Sequence, residues 1–366
     1  MNAAPTFSLL LASALLAGCF HADDRPTLTI LDQGSFPQFE AIRDSFENQT
    51  GARLVQIDGG DAGSALKAAL LGAGNPPADV LFGVDNALFF TKGVREKNLF
   101  VPYTSPNVAR IDTDVIDLDA FTVDGELWAT PCEYGFISVN FDVTLKDRTP
   151  ANELPTTLRD LATKRWASTF VVPDPRFSSP GLGFLLASIG TFPEGASYDW
   201  KDYWRDLLQN GTKVAKDWTE AYVYHYTGGG NWDEKAPQGR NITVSYTTSP
   251  AAEVLFGSPT APGVSLEPKR GVFPQVETMG ILRGSKNVDL AKRFIDFMLT
   301  DEFQILNAPY NAVYPVVKDV VLPAEFVAGA TDPRDLEPAT FSSAVLRTNL
   351  DRWVSDWEAL YQAETA

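Results

Sequence analysis

The segment Thr27-Leu-Thr-Ile-Leu31, together with the residues that follow it as far as Gly83, decides the fold class of this chain. The segment itself predicts a β-strand, and the apolar residues between 39 and 49 recur at the spacing of a helix. The alternation continues with a strand, a helix and a strand at 52–57, 65–71 and 79–83. Strands that alternate with helices in this way predict a parallel or mixed sheet with helical crossovers.

The rest of the chain repeats this alternation. Strands are predicted at 134–142, 170–172 and 242–246, and helices at 158–164, 181–189, 203–210, 290–299 and 346–362. With 366 residues the chain is long enough for two α/β domains. We therefore expect an α/β protein of two lobes, and the cleft between two such lobes is a common place for a small ligand.

Composition and charge exclude several classes of protein. Hydrophobic residues make up 44% of the chain and charged residues 21%, which excludes a disordered or fibrous protein. The net charge of −17 argues against a nucleic-acid partner, because phosphates would be repelled. His21 and His225 are the only histidines, so a histidine-rich metal site is excluded, and neither a metal nor a cofactor is expected.

The N-terminus carries the pattern of an export signal, although residues 1–6 lack the usual Lys or Arg. Residues 7–18 are apolar but too few to span a bilayer, and Leu16-Ala17-Gly18-Cys19 resembles the lipobox of bacterial lipoproteins. We predict a signal peptide with lipobox at 1–19, lipidation of Cys19 and a linker at 20–26; the alternative is an ordinary secretory signal. The protein would then be periplasmic or at the cell surface, anchored by lipid to the outer face of the cytoplasmic membrane.

Hydroxyl residues open two predicted helices, and both segments are candidates for ligand binding. Ser178 and Ser179 precede Pro180, with Ser179 as the expected N-cap, and the free N–H groups of a helix start form an anion site. Residues 246–249 follow a strand and repeat this design before Pro250. Two such helix starts on different lobes would hold one phosphate or one polar ring from opposite sides. The alternative is helix capping alone.

Three further segments are candidate ligand contacts. Trp218 offers a flat face to a cationic or aromatic ligand, although most tryptophans serve in core packing. Glu133 lies where the chain is expected to cross between lobes and would pair with a cation; otherwise it is a solvated surface carboxylate. The turn Gly59-Gly60-Asp61 is the third candidate, and its alternative is a plain tight turn.

Several of these motifs identify a family that the chain resembles. They are Asp-Pro-Arg at 174–176, Ser-Pro-Gly-Leu-Gly at 179–183, Trp-Thr-Glu-Ala-Tyr at 218–222 and Ser-Tyr-Thr-Thr-Ser-Pro at 245–250. In this order and spacing the sequence resembles, over nearly all of the mature chain, the thiamine-binding proteins of bacterial thiamine ABC transporters. The resemblance implies a protein that captures thiamine, or its phosphates, in an interlobe cleft and delivers it to an ABC permease in the membrane.

The resemblance also implies a fold and a set of ligand contacts. The fold is the type II periplasmic-binding-protein fold, in which each lobe is a mixed sheet flanked by helices and two segments cross between the lobes. Lobe 1 would comprise 27–130 and 247–315, and lobe 2 would comprise 131–246 and 316–366. The protein would act as a monomer without enzymatic activity. The implied ligand-binding residues are Gly59, Gly60, Asp61, Glu133, Ser178, Ser179, Trp218, Tyr246, Thr247, Thr248 and Ser249.

The chain departs from the family at three places where an aromatic residue is expected. Gln33, Ala252 and Ala312 stand there instead. With fewer aromatic residues around the ligand than the family pattern has, a related pyrimidine or thiazole compound is an alternative ligand, unless a nearby aromatic residue compensates. The candidates for that compensation are Tyr224, Trp232 and Tyr310.

Two other functions remain open. Secreted thiaminases resemble the same fold and use a cysteine nucleophile with a carboxylate base, so Cys132 beside Glu133 makes a thiaminase-like enzyme an alternative. A receptor for an oxyanion is a second alternative, although it would not need Trp218. If Cys19 carries lipid, Cys132 has no partner for a disulfide within the chain, and it is then either a buried or a reactive thiol.

Overall fold

The first strands of the chain form the parallel sheet that the sequence predicts. Strand β1 (Thr27–Asp32) pairs in parallel with β2 (Arg53–Asp58) on one side and with β3 (Val80–Asp85) on the other. Helix α1 (Phe39–Thr50) connects β1 to β2 and buries its predicted apolar face. It ends at Gly51, whose φ of 72° is a left-handed conformation that glycine adopts without strain.

The structure is a computed structural model that describes residues 24–143, 154–229, 239–258, 260–261, 263–266 and 270–366. The predicted signal peptide, the lipobox cysteine Cys19 and most of the predicted linker lie outside these residues. Trp232 lies outside them as well. No helix among the described residues is long and apolar enough to cross a membrane.

The remaining strands and helices follow in chain order. The strands are β4 (Phe100–Val101), β5 (Thr122–Val123), β6 (Glu126–Leu127), β7 (Thr130–Asp142), β8 (Phe170–Pro173), β9 (Lys213–Ala215), β10 (Ile242–Tyr246), β11 (Gly263–Leu266), β12 (Phe273–Leu282) and β13 (Tyr314–Pro315). The helices are α2 (Ala62–Leu71), α3 (Lys92–Glu96), α4 (Leu158–Leu161), α5 (Ser179–Thr191), α6 (Trp200–Gln209), α7 (Ser249–Leu255), α8 (Val288–Met298), α9 (Asp301–Gln304), α10 (Ala324–Gly329) and α11 (Ser343–Thr365). Residues Glu220–His225 and Asn307–Asn311 form short π-helices.

Strands β7 and β12 join the two ends of the sheet. The order of the described strands is β2-β1-β3-β12-β7-β10-β8-β9. Strand β12 pairs antiparallel with β3 through residues 277–281 and with β7 through residues 273–279. The other half of β7 pairs with β10 through residues 137–141. These two adjacent strands therefore connect the N-terminal strands with the β10-β8-β9 group.

Strand β12 is the main element that the sequence pattern did not predict. Pro274, Gln275 and Glu277 interrupt its apolar residues, yet nine of its ten residues are buried. The predicted helix at 158–164 is also different, because α4 covers only four residues and a separate 3-10 turn, Lys164–Trp166, follows it. Both differences arise from tertiary packing, which overrides local periodicity.

The segments after β10 contact elements that the predicted division places in the second lobe. Strand β11 pairs with β7 through residues 263–266, and helix α7 packs against α10. Helix α11 packs against α6 and also contacts the turn Leu88–Phe90, which follows β3. The predicted lobe boundaries thus stay a prediction.

Candidate functional site

A cavity of about 450 Å³ brings together residues from distant parts of the chain. One wall comes from the turn after β2 and from the residues after β1. The opposite wall comes from the start of α5, the residues after β9 and the start of α7. The lining residues are Gln33, Gly34, Ser35, Asp58, Gly60, Asp61, Ala62, Ser64, Ser178, Ser179, Pro180, Lys216, Asp217, Trp218, Thr219, Tyr246, Thr248, Ser249, Ala252, Phe256, Glu277, Asn311, Ala312 and Val313.

Most of the residues implied as ligand contacts line this one cavity. They are Gly60, Asp61, Ser178, Ser179, Trp218, Tyr246, Thr248 and Ser249. Strand ends and helix starts position them, because β2, β9 and β10 end beside the cavity and α5 and α7 begin there. In open α/β sheets such carboxyl ends of strands are the usual place for a ligand.

Gly59, Glu133 and Thr247 were also expected to contact the ligand, but they do not line the cavity. The N–H of Gly59 donates to the carbonyl of Asp32 at 2.9 Å, which holds the turn from behind. Thr247 is fully buried, and its N–H donates to the carbonyl of Phe136 at 2.9 Å. Glu133 lies beneath the cavity rather than in its wall, fully buried instead of solvated.

Trp218 presents a partly exposed ring that its neighbours hold in place. The ring stacks on Tyr222 with a centroid distance of 4.9 Å and an interplanar angle of 11°. Its Nε1–H donates to Ser245 Oγ at 2.9 Å, at the end of β10. In turn the Tyr222 hydroxyl donates to Glu253 on α7 at 2.8 Å. These contacts orient the indole, so its free face is preorganised for a flat or cationic group.

The start of α5 differs from the prediction in its cap. Ser178 rather than Ser179 is the N-cap residue, and its side chain makes no capping hydrogen bond. Ser178 is only 3% exposed, and its Oγ has no hydrogen-bond partner among the described residues. The Ser179 hydroxyl donates to the Asp85 carboxylate at the end of β3, which also accepts the N–H groups of Ala87 and Leu88 at 2.6 and 2.8 Å.

Two buried carboxyl groups lie side by side at the base of the cavity. Glu133 on β7 is directly opposite Glu277 on β12, and only Glu277 reaches the cavity wall. Amide side chains surround both: Gln275 donates to Glu277 at 2.9 Å, Gln33 donates to its other oxygen, and Asn311 donates to Glu133 at 2.9 Å. Sequence patterns missed Glu277 because carboxylates are usually surface residues.

The shared burial of this pair changes its titration. Burial raises the pKa of Glu277 to about 7, and the carboxylate of Asp85 adds to the rise. Burial, together with the adjacent Glu277, raises the pKa of Glu133 well above its usual value. Near neutral pH the pair therefore holds at least one proton, and a cation placed over Glu277 would favour the loss of that proton.

Carboxylates outnumber cations in the cavity wall. Asp58, Asp61, Asp217 and Glu277 line it, whereas Lys216 is the one basic residue among the lining residues. Burial, with the nearby charge of Asp217, raises the pKa of Asp61 to about 6. This electrostatic environment suits a ligand with a positive charge.

The aromatic residues that the family pattern leads one to expect are partly replaced by Phe256. Gln33, Ala252 and Ala312 all line the cavity, so the departures fall in its wall. Phe256 follows Ala252 by four residues, one helical turn along the same face, and lines the cavity as well. The sequence alone shows this four-residue spacing, so Phe256 could have been predicted as the replacement aromatic residue. Tyr224 and Tyr310 are exposed and do not line the cavity.

Cys132 is buried and lies outside the cavity wall. It is 0% exposed, it does not line the cavity, and its Sγ–H donates to the carbonyl of Glu277 at 3.2 Å. Burial and the neighbouring carboxylates raise the pKa of its thiol well above the usual value, so the reactive thiolate is disfavoured. Within the described parts of the chain, no group of three or more His, Cys, Asp or Glu side chains has the arrangement of a metal site.

Comparisons with known proteins point to one class of transport protein. The sequence model of the family described as bacterial extracellular solute-binding protein matches residues 75–337. The chain is 27% identical to the thiamine-binding periplasmic protein of Salmonella typhimurium, over 91% of this chain and 93% of that one. It is 28% identical to the protein of the same name from Brucella abortus, over 97% of each chain. The resemblance noted from the sequence motifs is thus confirmed.

Solved structures agree with this result. A periplasmic thiamin binding protein superposes with a TM-score of 0.73 at 25% identity, covering 92% of this chain and 96% of that one. The periplasmic binding protein P5PA superposes with a TM-score of 0.75 at 18% identity, covering 92% and 100%, and supports the fold alone. The predicted α/β fold of type II periplasmic binding proteins is confirmed.

Proposed function

Because the chain belongs to the family of bacterial extracellular solute-binding proteins, we propose that it captures thiamine in the cavity and delivers it to the permease of an ABC transporter. The observation that carries the proposal is the combination of the Trp218 ring with the acidic wall around it. Relatives that match nearly the whole chain bear the name thiamine-binding periplasmic protein, which supports the choice of ligand.

The chemistry of thiamine fits these groups. Its thiazolium ring is a delocalised cation, which the face of Trp218 and the carboxyl group of Glu277 would stabilise together. Its aminopyrimidine ring both donates and accepts hydrogen bonds. The unpartnered hydroxyl of Ser178 and the exposed ring of Phe256 would serve that end of the ligand.

The proposal includes two lobes that close on the ligand around β7 and β12. Because β11 and α7 contact β7 and α10, we place these two elements with the second lobe and not with the first. The N–H of Gly63 in the first proposed lobe donates to the carbonyl of Phe177 in the second at 3.1 Å, which supports contact between the two lobes. Hinge closure of this kind sequesters the ligand from water.

The cellular setting is part of the same proposal. The export signal at 1–19 and lipid on Cys19 would hold the protein at the outer face of the cytoplasmic membrane, near the permease. The protein would act there as a monomer. The proposed role is binding without catalysis.

The experiment that tests the ligand is isothermal titration calorimetry with thiamine, on a version of the chain that begins after Cys19. Mass spectrometry of the recovered ligand would show whether thiamine survives. Tight binding of intact thiamine supports the proposal. If thiamine gives no heat of binding and free pyrimidine or thiazole compounds do, those compounds and not thiamine are the ligands of this cavity. That outcome would follow from the small or polar residues at Gln33, Ala252 and Ala312.

The ring of Phe256 should contribute to affinity although it lies at the rim. Phe256 is 61% exposed, so Phe256→Ala removes little packing from the folded protein. The substitution does remove an apolar part of the cavity wall that would contact the ligand. We expect affinity for thiamine to fall about threefold to tenfold, measured by calorimetry, since an aromatic contact contributes about 0.5–1.5 kcal/mol. The matched control is Tyr224→Ala, which removes an exposed ring outside the cavity and should leave affinity unchanged. Equal affinity of both variants would remove Phe256 from the site.

The thiaminase-like alternative makes a prediction about Cys132. The thiol is buried and donates a hydrogen bond to the backbone carbonyl of Glu277. We therefore expect no labelling by an aqueous thiol reagent in the folded protein and full labelling after unfolding in guanidinium. Cys132→Ala should bind thiamine within about twofold of the parent protein, since the thiol does not line the cavity. Cleavage of thiamine by the parent protein that Cys132→Ala abolishes would establish the enzyme instead.

A further inference from the structure

We infer that Gly63 is the residue that allows the two proposed lobes to close on the ligand, through a contact between its backbone and the backbone of Phe177. The inference rests on the proposed function. Gly63 would be a positioning residue, because it does not line the cavity itself. Its neighbours Ala62 and Ser64 do line the cavity, as does Ser178, which follows Phe177. The contact therefore joins the two walls directly beside the ligand site.

A backbone hydrogen bond connects the start of α2 with the turn before α5. The N–H of Gly63 belongs to the first turn of α2, where N–H groups have no partner within the helix. The carbonyl of Phe177 accepts it at 3.1 Å. When the lobes separate, water can take the place of this carbonyl, so the hydrogen bond adds little to the free energy of closure. The shape of the contact matters more.

The space between the two backbones has room only for glycine. A Cβ atom on Gly63 would lie 2.8 Å from the carbonyl oxygen of Phe177, 3.1 Å from its Cα and 3.3 Å from its carbonyl carbon. All three are backbone atoms, so no side-chain rotation would relieve the overlap. Because Gly63 is part of a helix, alanine would fit here as soon as the two walls move apart.

The turn that carries Phe177 is fixed from its other side. The carbonyl of Asp174 accepts the N–H of Phe177 at 3.2 Å. The carboxylate of Asp174 binds Arg176 at 2.6 Å, and the other amino group of Arg176 lies 2.6 Å from Glu358 on α11. These bonds give the Asp-Pro-Arg motif of the sequence a role, because they hold the Phe177 carbonyl in place. A methyl group added opposite it would therefore keep the walls apart instead of displacing the turn.

Two other glycines provide matched comparisons. Gly181 on α5 is crowded within the second proposed lobe, since a Cβ atom there would lie 2.4 Å from the carbonyl oxygen of Pro173. Gly93 on α3 lies in the first proposed lobe, and a Cβ atom there would first meet the flexible methyl groups of Leu70 at 3.2 and 3.3 Å. Alanine should thus disturb folding at Gly181, neither folding nor closure at Gly93, and closure alone at Gly63.

The test compares thiamine binding by the parent protein, Gly63→Ala and Gly93→Ala, each in the version that begins after Cys19. We expect Gly63→Ala to bind about tenfold or more weakly, because overpacking of this kind is costly. The loss should lie mainly in faster dissociation, measured by stopped-flow tryptophan fluorescence. Gly93→Ala should bind as the parent does. Equal affinity of all three proteins would overturn this inference and leave the proposed function intact. Absence of thiamine binding by the parent would overturn the proposed function, and this inference with it.

Two further measurements separate closure from folding. Without ligand, Gly63→Ala should melt within about 2 °C of the parent, whereas Gly181→Ala should melt several degrees lower. In small-angle X-ray scattering, saturating thiamine should reduce the radius of gyration of the parent and reduce that of Gly63→Ala by less. A ligand-free melting temperature of Gly63→Ala as low as that of Gly181→Ala would overturn the inference. Equal compaction of Gly63→Ala and the parent by thiamine would overturn it as well.

Discussion

Replacement of Trp218 by alanine should weaken thiamine binding roughly fivefold to thirtyfold. One aromatic face over a cation in a partly desolvated site contributes about 1–2 kcal/mol, and this ring is held by Tyr222 and Ser245 before the ligand arrives. The variant loses that preorganised face, while the rest of the wall remains. Calorimetry of the parent and variant proteins would measure the difference directly.

Trp218→Phe is the matched control for this experiment. It keeps an aromatic face against Tyr222 and loses only the Nε1–H bond to Ser245. We expect its affinity to lie between those of the parent protein and the alanine variant. If both variants bind thiamine as tightly as the parent protein does, Trp218 belongs to the core and not to the ligand site.

Glu277→Gln should have the largest effect, a loss of at least about thirtyfold in affinity for thiamine. Removing one partner of a buried charge pair typically costs about 2–5 kcal/mol, and Glu277 is the carboxyl group at the base of the cavity. Glutamine retains the volume, but its one carbonyl oxygen can accept from only one of Gln33 and Gln275. The loss would therefore report the charge and one hydrogen bond of Glu277, and not packing.

The same residue should give the binding a pH dependence. Burial raises the pKa of Glu277 to about 7 and that of Glu133 well above its usual value. In the ligand-free protein the protonated pair therefore favours the folded state at low pH, and this contribution is lost as the pH rises through the raised pKa values. A cation favours the charged form, which reverses the trend in the complex. Thiamine affinity should consequently rise between about pH 6 and about pH 8.

The control and the readout separate this effect from general charge. Glu126→Gln removes an exposed carboxylate on β6, away from the cavity, and should change neither affinity nor its pH profile. The Glu277→Gln variant should lose most of the pH dependence of thiamine affinity. At pH 8, thiamine should raise the melting temperature of this variant by less than it raises that of the parent protein. A parent-like pH profile in Glu277→Gln would show that the pair does not titrate with binding.

Local signals in the sequence were sufficient for the first part of the fold. The alternation from Thr27 to Gly83 predicted the parallel strands, because each apolar segment there is buried by its immediate neighbours. Strand β12 could not be found in this way. Its polar residues Gln275 and Glu277 are buried by β7 and by side chains from elsewhere in the chain, so their surroundings exist only in the folded protein.

The residues of the candidate site differ in the same way between those that local sequence signals identify and those that depend on long-range packing. Ser178 and Trp218 were identified because they lie at a helix start and in a recognisable motif, and both line the cavity. Glu133 was expected to contact the ligand; it is paired with Glu277 across β7 and β12, and of the two only Glu277 lines the cavity. Phe256 could not be predicted from the family pattern, because that pattern places the aromatic residue at Ala252, one helical turn earlier.

The burial of Cys132 has a practical consequence. A version of the chain that begins after Cys19 contains this single thiol, and the folded protein shields it completely. A cysteine introduced at the exposed cavity residue Ser64 would then be the only site at which an environment-sensitive dye attaches. Closure around the ligand would change the surroundings of that dye, and the labelled protein would act as an optical sensor for vitamin B1.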